Sequence, residues 1–211
     1  MILQNTFKDS KILNWEEEIL DEEVQEIKEV LDNDGIIIMP SDTVYIMACS
    51  CFSESAIDKI YEIKKRAKYK PINVLTNSIE KINKVVKNIN KKEQELIDKY
   101  MPGLLTIIFD KRETVPNILT GGLDTIGVRI PKDARILSVL KAVDYPLAIT
   151  GANISGKHKN LKIEDVIKDF DGEVDIIIDG GPINSPQSST IVKVENNGEL
   201  KVIREGSIRI E

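Results

Sequence analysis

Thr125-Ile-Gly-Val-Arg-Ile-Pro131, a helical run, and then Pro146-Leu-Ala-Ile-Thr-Gly-Ala-Asn-Ile-Ser-Gly156 form the stretch that decides the fold. Ile126, Val128 and Ile130 alternate with Thr125, Gly127 and Arg129, the period of a strand that buries one face, and Pro131 stops it. Arg129 is therefore expected to leave the sheet on the side opposite the buried face. Asp133 to Val143 carries Ile136, Leu137 and Leu140 at helical spacing and ends at Tyr145-Pro146, before the short apolar strand Leu147 to Ile149. Thr150 to Gly156 follows, with small residues and two glycines that let a ligand approach the backbone and with hydrogen-bonding side chains at Asn153 and Ser155. An anion site would use these residues; so would a surface cation beside an ordinary strand-to-helix turn. These residues alone leave both open.

Composition narrows the class. A chain of 211 residues can bury a sizeable core, and one domain over residues 1–211 is the simplest expectation. No apolar run approaches the length of a membrane span, and the opening Met-Ile-Leu-Gln-Asn-Thr-Phe-Lys lacks a secretory pattern, so a cytoplasmic protein with no membrane partner is expected. The net charge of -6 argues against tight nonspecific binding to nucleic acid. Cations are nonetheless concentrated at Lys64, Lys65, Arg66, Lys68 and Lys70, where either a specific anionic ligand or a solvated helix end accounts for them. Cys49 and Cys51 are read as buried free thiols on opposite faces of a strand, and a single histidine, His158, read as solvent-exposed, makes a Cys/His zinc site improbable.

Going outward along the chain, Glu16 to Asn33 is expected as a helix closed by Asn33-Asp34-Gly35, and Ile36 to Met39 as a buried strand. Pro40-Ser-Asp-Thr-Val-Tyr45 then makes a polar loop whose hydroxyls, on Ser41, Thr43 and Tyr45, sit where ligands often bind, although Ser41 and Asp42 also suit the loop's own backbone. Ser53 caps a helix through about Lys65, Ile72 to Leu75 is a strand, and helices are expected over Ile79 to Lys87 and after the capping box Asn90-x-x-Glu93. Leu104 to Phe109 forms a strand followed by a polar loop through Gly121-Gly122. Beyond Gly156 come a helix at Glu164 to Phe170, a strand at Asp175 to Ile178, and a hairpin of Ile191 to Val194 and Leu200 to Ile203 turning at Asn196-Asn-Gly198.

The polar segments, taken together, are Pro40-Ser-Asp-Thr-Val-Tyr45, Lys64-Lys-Arg66 continuing to Lys70-Pro71, Pro102-Gly103-Leu-Leu-Thr106, Gly127-Val-Arg129-Ile-Pro131, Gly151-Ala-Asn153-Ile-Ser155-Gly156, Ser189-Thr190 and Arg204-Glu-Gly206. In order and spacing they resemble the YrdC-like family of threonylcarbamoyl-adenylate synthases, from about Asp34 to Ser207, in its short single-domain form. The resemblance implies a single-domain α/β fold with an open, twisted, mixed β-sheet flanked by helices. It also implies a nucleotidyltransferase that makes threonylcarbamoyl-AMP and pyrophosphate from L-threonine, bicarbonate and ATP, with Mg²⁺ accompanying ATP and no protein metal site. The product would pass to a tRNA threonylcarbamoyl transferase complex for N6-threonylcarbamoyladenosine modification, and tRNA or another structured RNA is a further partner.

By position, the resemblance places Lys64, Arg66 and Lys70 at the ATP phosphates, the first two as catalytic residues. It places Thr125, Gly151, Asn153, Lys159 and Arg204 along the nucleotide, and Thr43, Arg129 and Ser189 against threonine. The chain departs from the family pattern at Ile46, Lys65, Ala67 and Leu104, and at Gly151, where the family usually has a serine that contacts the nucleotide. The chemistry needs no nucleophilic side chain, because the carbamate itself attacks the α-phosphorus and positioning and cations do the rest. Two other readings stay open: a relative that adenylates a different carbamate, and a non-catalytic protein that binds structured RNA through Lys64 to Lys70. Retention of Arg129 with Lys64 and Arg66 weighs against the second, since RNA binding alone needs no carboxylate clamp.

Overall fold

The strand Thr125–Arg129 lies inside a ten-stranded mixed sheet in the computed structural model, which describes residues 9–15, 20–184 and 186–210. The strands are β1 (Lys11–Asn14), β2 (Ile37–Met39), β3 (Ile46–Ser50), β4 (Asn73–Leu75), β5 (Leu105–Asp110), β6 (Thr125–Arg129), β7 (Leu147–Gly151), β8 (Ile176–Asp179), β9 (Thr190–Val194) and β10 (Leu200–Arg204). Their spatial order is β1-β8-β2-β3-β7-β4-β6-β5-β9-β10. β1, β8 and β2 run parallel, as do β4 with β6 and β5 with β9, and the remaining neighbours are antiparallel. The helices are α1 (Asp21–Asp32), α2 (Glu54–Ile63), α3 (Ile79–Ile82), α4 (Lys91–Tyr100), α5 (Asn117–Thr120), α6 (Ala134–Ala142) and α7 (Ile163–Phe170).

Alternation along the strands divides the interior into two cores. Ile38, Met47, Val74, Leu105, Ile107, Ile126, Val128, Ala148 and Val192 face one way, against Ile57 and Ile60 of α2, Leu96 and Ile97 of α4 and Phe170 of α7. Ile37, Met39, Ile46, Ala48, Leu75 and Leu147 face the other way, against Ile27 and Leu31 of α1 and Ile136, Val139 and Leu140 of α6. No described residue of β5, β6, β9 or β10 belongs to this second core. On that half of the second face the residues around Arg129 are mostly polar or small, Asn73, Thr106, Gly127 and, just before β9, Ser189, with Ile108 and Ile191 beside them. The helices thus cover most of one face and leave half of the other as a largely polar floor.

Several local expectations hold in detail. Ser53 accepts from the Ala56 amide at 3.1 Å, and Asn90 and Glu93 form both halves of the capping box. Others need correcting. The helix expected from Glu16 begins at Asp21, with Glu16 to Ile19 outside the described residues, and Asp34 rather than Gly35 takes the positive φ of 60° behind it. The helix expected to reach Lys87 stops at Ile82, because Val86 bridges to Lys111 beside β5 and draws the chain out of the helical path. The polar loop before Gly121 contains the short helix α5, closed by Gly121 at φ 62°. Cys49 and Cys51 are buried and free, with burial raising both pKa values, but they lie in the same core: residues two apart in a strand share a face, and opposite-face placement was incorrect. Tyr45 is wholly buried, its hydroxyl donating to the Gly181 carbonyl at 2.8 Å, so it serves packing and not a ligand.

Candidate functional site

A cavity of about 410 Å³ stands on the polar floor. Its base comes from Asn73, Thr106 and Arg129 of β4, β5 and β6, and Thr150 and Gly151 of β7 form one wall. Ser41 and Thr43 come from the loop between β2 and β3, and Ser188, Ser189 and Arg204 from the approach to β9 and the end of β10. Arg66, Asn153 and Lys159 complete the rim. Among the described lining residues none is a carboxylate.

Arg129 sits at the end of β6 and is 6% exposed, not the solvent-facing cation that single-face burial predicts. Its Nε donates to the Gly103 carbonyl at 2.7 Å and its Nη2 pairs with Asp42, while Nη1 has no partner among the described residues. The fork that a bidentate grip would use is therefore already engaged on two of its nitrogens. Asp42 was expected only to serve its own loop, and its role here was missed; its Oδ1 is buried without a hydrogen bond. Ser41 does serve the loop, its hydroxyl accepting from the Thr43 and Val44 amides at 3.1 Å.

Lys64 is not on the cavity wall. It is 2% exposed, and its ammonium donates to the carbonyls of Gly151 and Asn153, while its own carbonyl accepts from the Ser155 amide at 2.8 Å. Burial, with the charge of Arg66 adding to it, lowers its pKa to about 8. This lysine holds the glycine loop from beneath. Asn153 ties the same loop to itself, donating to the carbonyls of Ile154 and Lys157 at 3.1 Å. A Cβ on Gly151 would stand 3.1 Å from Asn153 Oδ1 and 3.6 Å from Val44, so the family's serine meets a close but side-chain neighbour there.

Of the cations expected at phosphates, Arg66 alone lines the cavity; it donates to the Pro71 carbonyl at 2.9 Å and is held at the rim. Lys70 is exposed outside the lining, and Thr125, at the opposite end of β6 from Arg129, is also outside it. Thr43, Arg129, Ser189, Gly151, Asn153, Lys159 and Arg204 all line the cavity. Reading by residue missed Asn73, Thr106, Gln187 and Ser188. Thr106 carried a signal: it is the one polar residue inside the apolar run Leu104 to Phe109. At the far side, a Cβ on Gly206 would come within 2.4 Å of the Ser188 and Ser189 backbone, so glycine lets β10's end lie flat on the segment that carries Ser189.

Fold and cavity together define an α/β protein with a polar, cation-rimmed cleft. The chain belongs to the Sua5/YciO/YrdC family, whose model, described as "Telomere recombination", matches residues 29–206. A relative from Methanocaldococcus jannaschii is 35% identical over 201 residues, covering 95% of this chain and 94% of that protein. The threonylcarbamoyl-AMP synthase of Pyrococcus abyssi is 30% identical over 200 residues, covering 95% of this chain and 58% of the synthase. The crystal structure of P. abyssi Sua5 complexed with L-threonine aligns with a TM-score of 0.88 at 30% identity, over 93% of this chain and 58% of that one. The chain thus spans less than two thirds of the length of both Pyrococcus proteins.

Proposed function

We propose that the protein is a threonylcarbamoyl-AMP synthase, a nucleotidyltransferase, and that the chain forms one domain around a single site. The observation that carries the reading is the pairing, in one cavity, of Arg129 and Ser189 on the polar floor with the Gly151–Asn153 loop and Arg66 at its rim. The threonine amine would condense with bicarbonate, releasing water, and a carbamate oxygen would attack the α-phosphorus of ATP as the bond to pyrophosphate breaks. Arg129 and Thr43 would bind the amino acid, while Arg66 and Lys159 would face the phosphates. Lys64 would act through the loop it holds, keeping the Gly151 and Asn153 backbone in place for the nucleotide.

Mg²⁺ fits this site as an ion carried by the nucleotide. Such ions keep several waters and bind substrate phosphates more than protein cages, and among the described residues no group of three His, Cys, Asp or Glu side chains could hold a metal. When bound it would neutralise charge on the departing pyrophosphate. From Arg66 at the cavity rim the chain runs on to Tyr69, 72% exposed and flanked by Lys68 and Lys70, a combination that favours stacking and phosphate contact with structured RNA, as fits a product destined for tRNA. Among the described residues no helix is long and apolar enough to cross a membrane.

Pyrophosphate release tests the proposal: ATP and bicarbonate are supplied with each of a panel of amino acids. Release is expected with threonine and only when bicarbonate is present. Equal turnover with another amino acid would point to a different carbamate, and none with any would remove the synthase reading.

A further inference from the structure

The hydrogen bonds around Ser189 fix more than its position. Its Oγ accepts from the Thr106 hydroxyl at 2.9 Å and from Arg204 Nη2 at 3.0 Å. A hydroxyl oxygen has two acceptor sites and one proton, so both acceptor sites are filled. The proton has no acceptor among the described residues, and the cavity that Ser189 lines is where one would stand. A serine free to rotate could have met a ligand donor or a ligand acceptor; this one is committed to donating, and so meets an acceptor.

Thr106 is 2% exposed and spends its one proton on Ser189. The register of β5 on β6, with Ile107 opposite Val128, carries on to place Thr106 beside Arg129 and on the same face. That row therefore offers two unspent donors to the cavity, Nη1 of Arg129 and the Ser189 hydroxyl, with Thr106 between them. Two donors reaching in from the strands on either side of β5, one of them on a long arginine side chain, suit the two oxygens of one carboxylate. We infer that Thr106 is a positioning residue which, with Arg204, fixes Ser189 as a hydrogen-bond donor to the α-carboxylate of the amino acid. The inference rests on the function proposed above.

The test is calorimetric titration of the intact protein with L-threonine, with L-threoninol, which lacks the carboxylate, and with ATP. Thr106→Val, close to isosteric, is expected to weaken threonine binding by about five- to tenfold, the effect of losing one neutral hydrogen bond that orients Ser189, and to leave ATP within twofold. Thr106→Ser is expected to restore threonine binding, and threoninol is expected to bind parent and Thr106→Val alike. In a Ser189→Ala background Thr106→Val is expected to have no further effect, a non-additivity that a packing role would not produce. Thermal denaturation precedes the titrations, and Thr106→Ala replaces Thr106→Val if the latter does not fold. Threonine affinity within twofold of parent in the hydroxyl-free variant, or additive effects with Ser189→Ala, would overturn the inference while leaving the proposed function standing. A parent protein that binds no threonine would remove both.

Discussion

Replacing Arg129 by lysine separates the two jobs that the structure gives this side chain. Lysine keeps the charge but gathers its donors on one nitrogen where arginine spreads them over three, so it loses the planar fork that holds the Gly103 carbonyl and Asp42 from separate nitrogens. Losing a hydrogen bond from a charged donor costs about 1.5–3 kcal/mol. Removing one partner of a buried ion pair costs about 3–5 kcal/mol, but Asp42 is 23% exposed and lysine still offers it a charge, so that contribution falls well below its full value. Arg129→Lys is therefore expected to lower stability by about 1.5–3 kcal/mol, and Arg129→Met, which leaves Asp42 unpaired, by about 3–5 kcal/mol. Urea denaturation reads these values. Titration then reads function: with Nη1 gone, threonine affinity is expected to drop by about tenfold or more, with ATP affinity near that of the parent. Stability loss with unchanged threonine affinity would make Arg129 purely structural. Collapse of ATP affinity with threonine untouched would move it to the nucleotide and refute the division of the site.

Two further outcomes follow from the cations on either side of the glycine loop. Arg66→Ala removes a rim residue whose protein partners are backbone carbonyls near the surface, so it is expected to weaken ATP binding by about 1.5–3 kcal/mol with little loss of stability; equal ATP affinity would return Arg66 to a solvated helix end. Lys64 has a folded pKa of about 8 against an ordinary 10.5, so between those values the unfolded chain holds a proton that the folded protein has released. Parent stability is accordingly expected to rise with pH across that window, by up to about 1.4 kcal/mol per pH unit, with no such rise below it. Lys64→Met lacks this contribution, and urea midpoints at pH 7, 9 and 10 that run parallel in the two proteins would show that Lys64 is not buried as described.

The strands were legible because alternation is a local property. Thr125–Arg129 begins and ends where its pattern does, and Asp133 caps α6 directly before its apolar stripe. What alternation cannot tell is what stands over the second face. Arg129 leaves the sheet where expected, yet it is buried, because the cavity loops and Asp42 cover it. Lys64 and Arg66 are equivalent as letters in a basic run, and only the path of the chain puts one beneath the glycine loop and the other at the rim. β1 was missed because four residues with a single buried position, Leu13, give no period to detect; its pairing with β8, some 160 residues on, supplies what its sequence lacks.

The sheet order also sets the scale of what the site can hold. Neighbouring strands lie about 4.8 Å apart, and β7, β4, β6, β5 and β9 are consecutive. Arg129 on β6 is thus two strand intervals, about 10 Å, from the Gly151 strand, and Ser189, entering β9, is four intervals, about 19 Å, from it. An amino acid alone would span about one interval, and a site for it would need neither the glycine loop nor Arg66. In the proposed function, a carbamate held at the β6 to β9 end and a nucleotide α-phosphorus brought up from the β7 side would fill the interval between them. Each end is anchored by groups whose other hydrogen bonds are already spent: Arg129 on Gly103 and Asp42, Ser189 on Thr106 and Arg204, and the loop carbonyls on Lys64. Pre-satisfied neighbours leave each group one direction in which to bind, which is how a site without a nucleophilic side chain can hold two reactants in line.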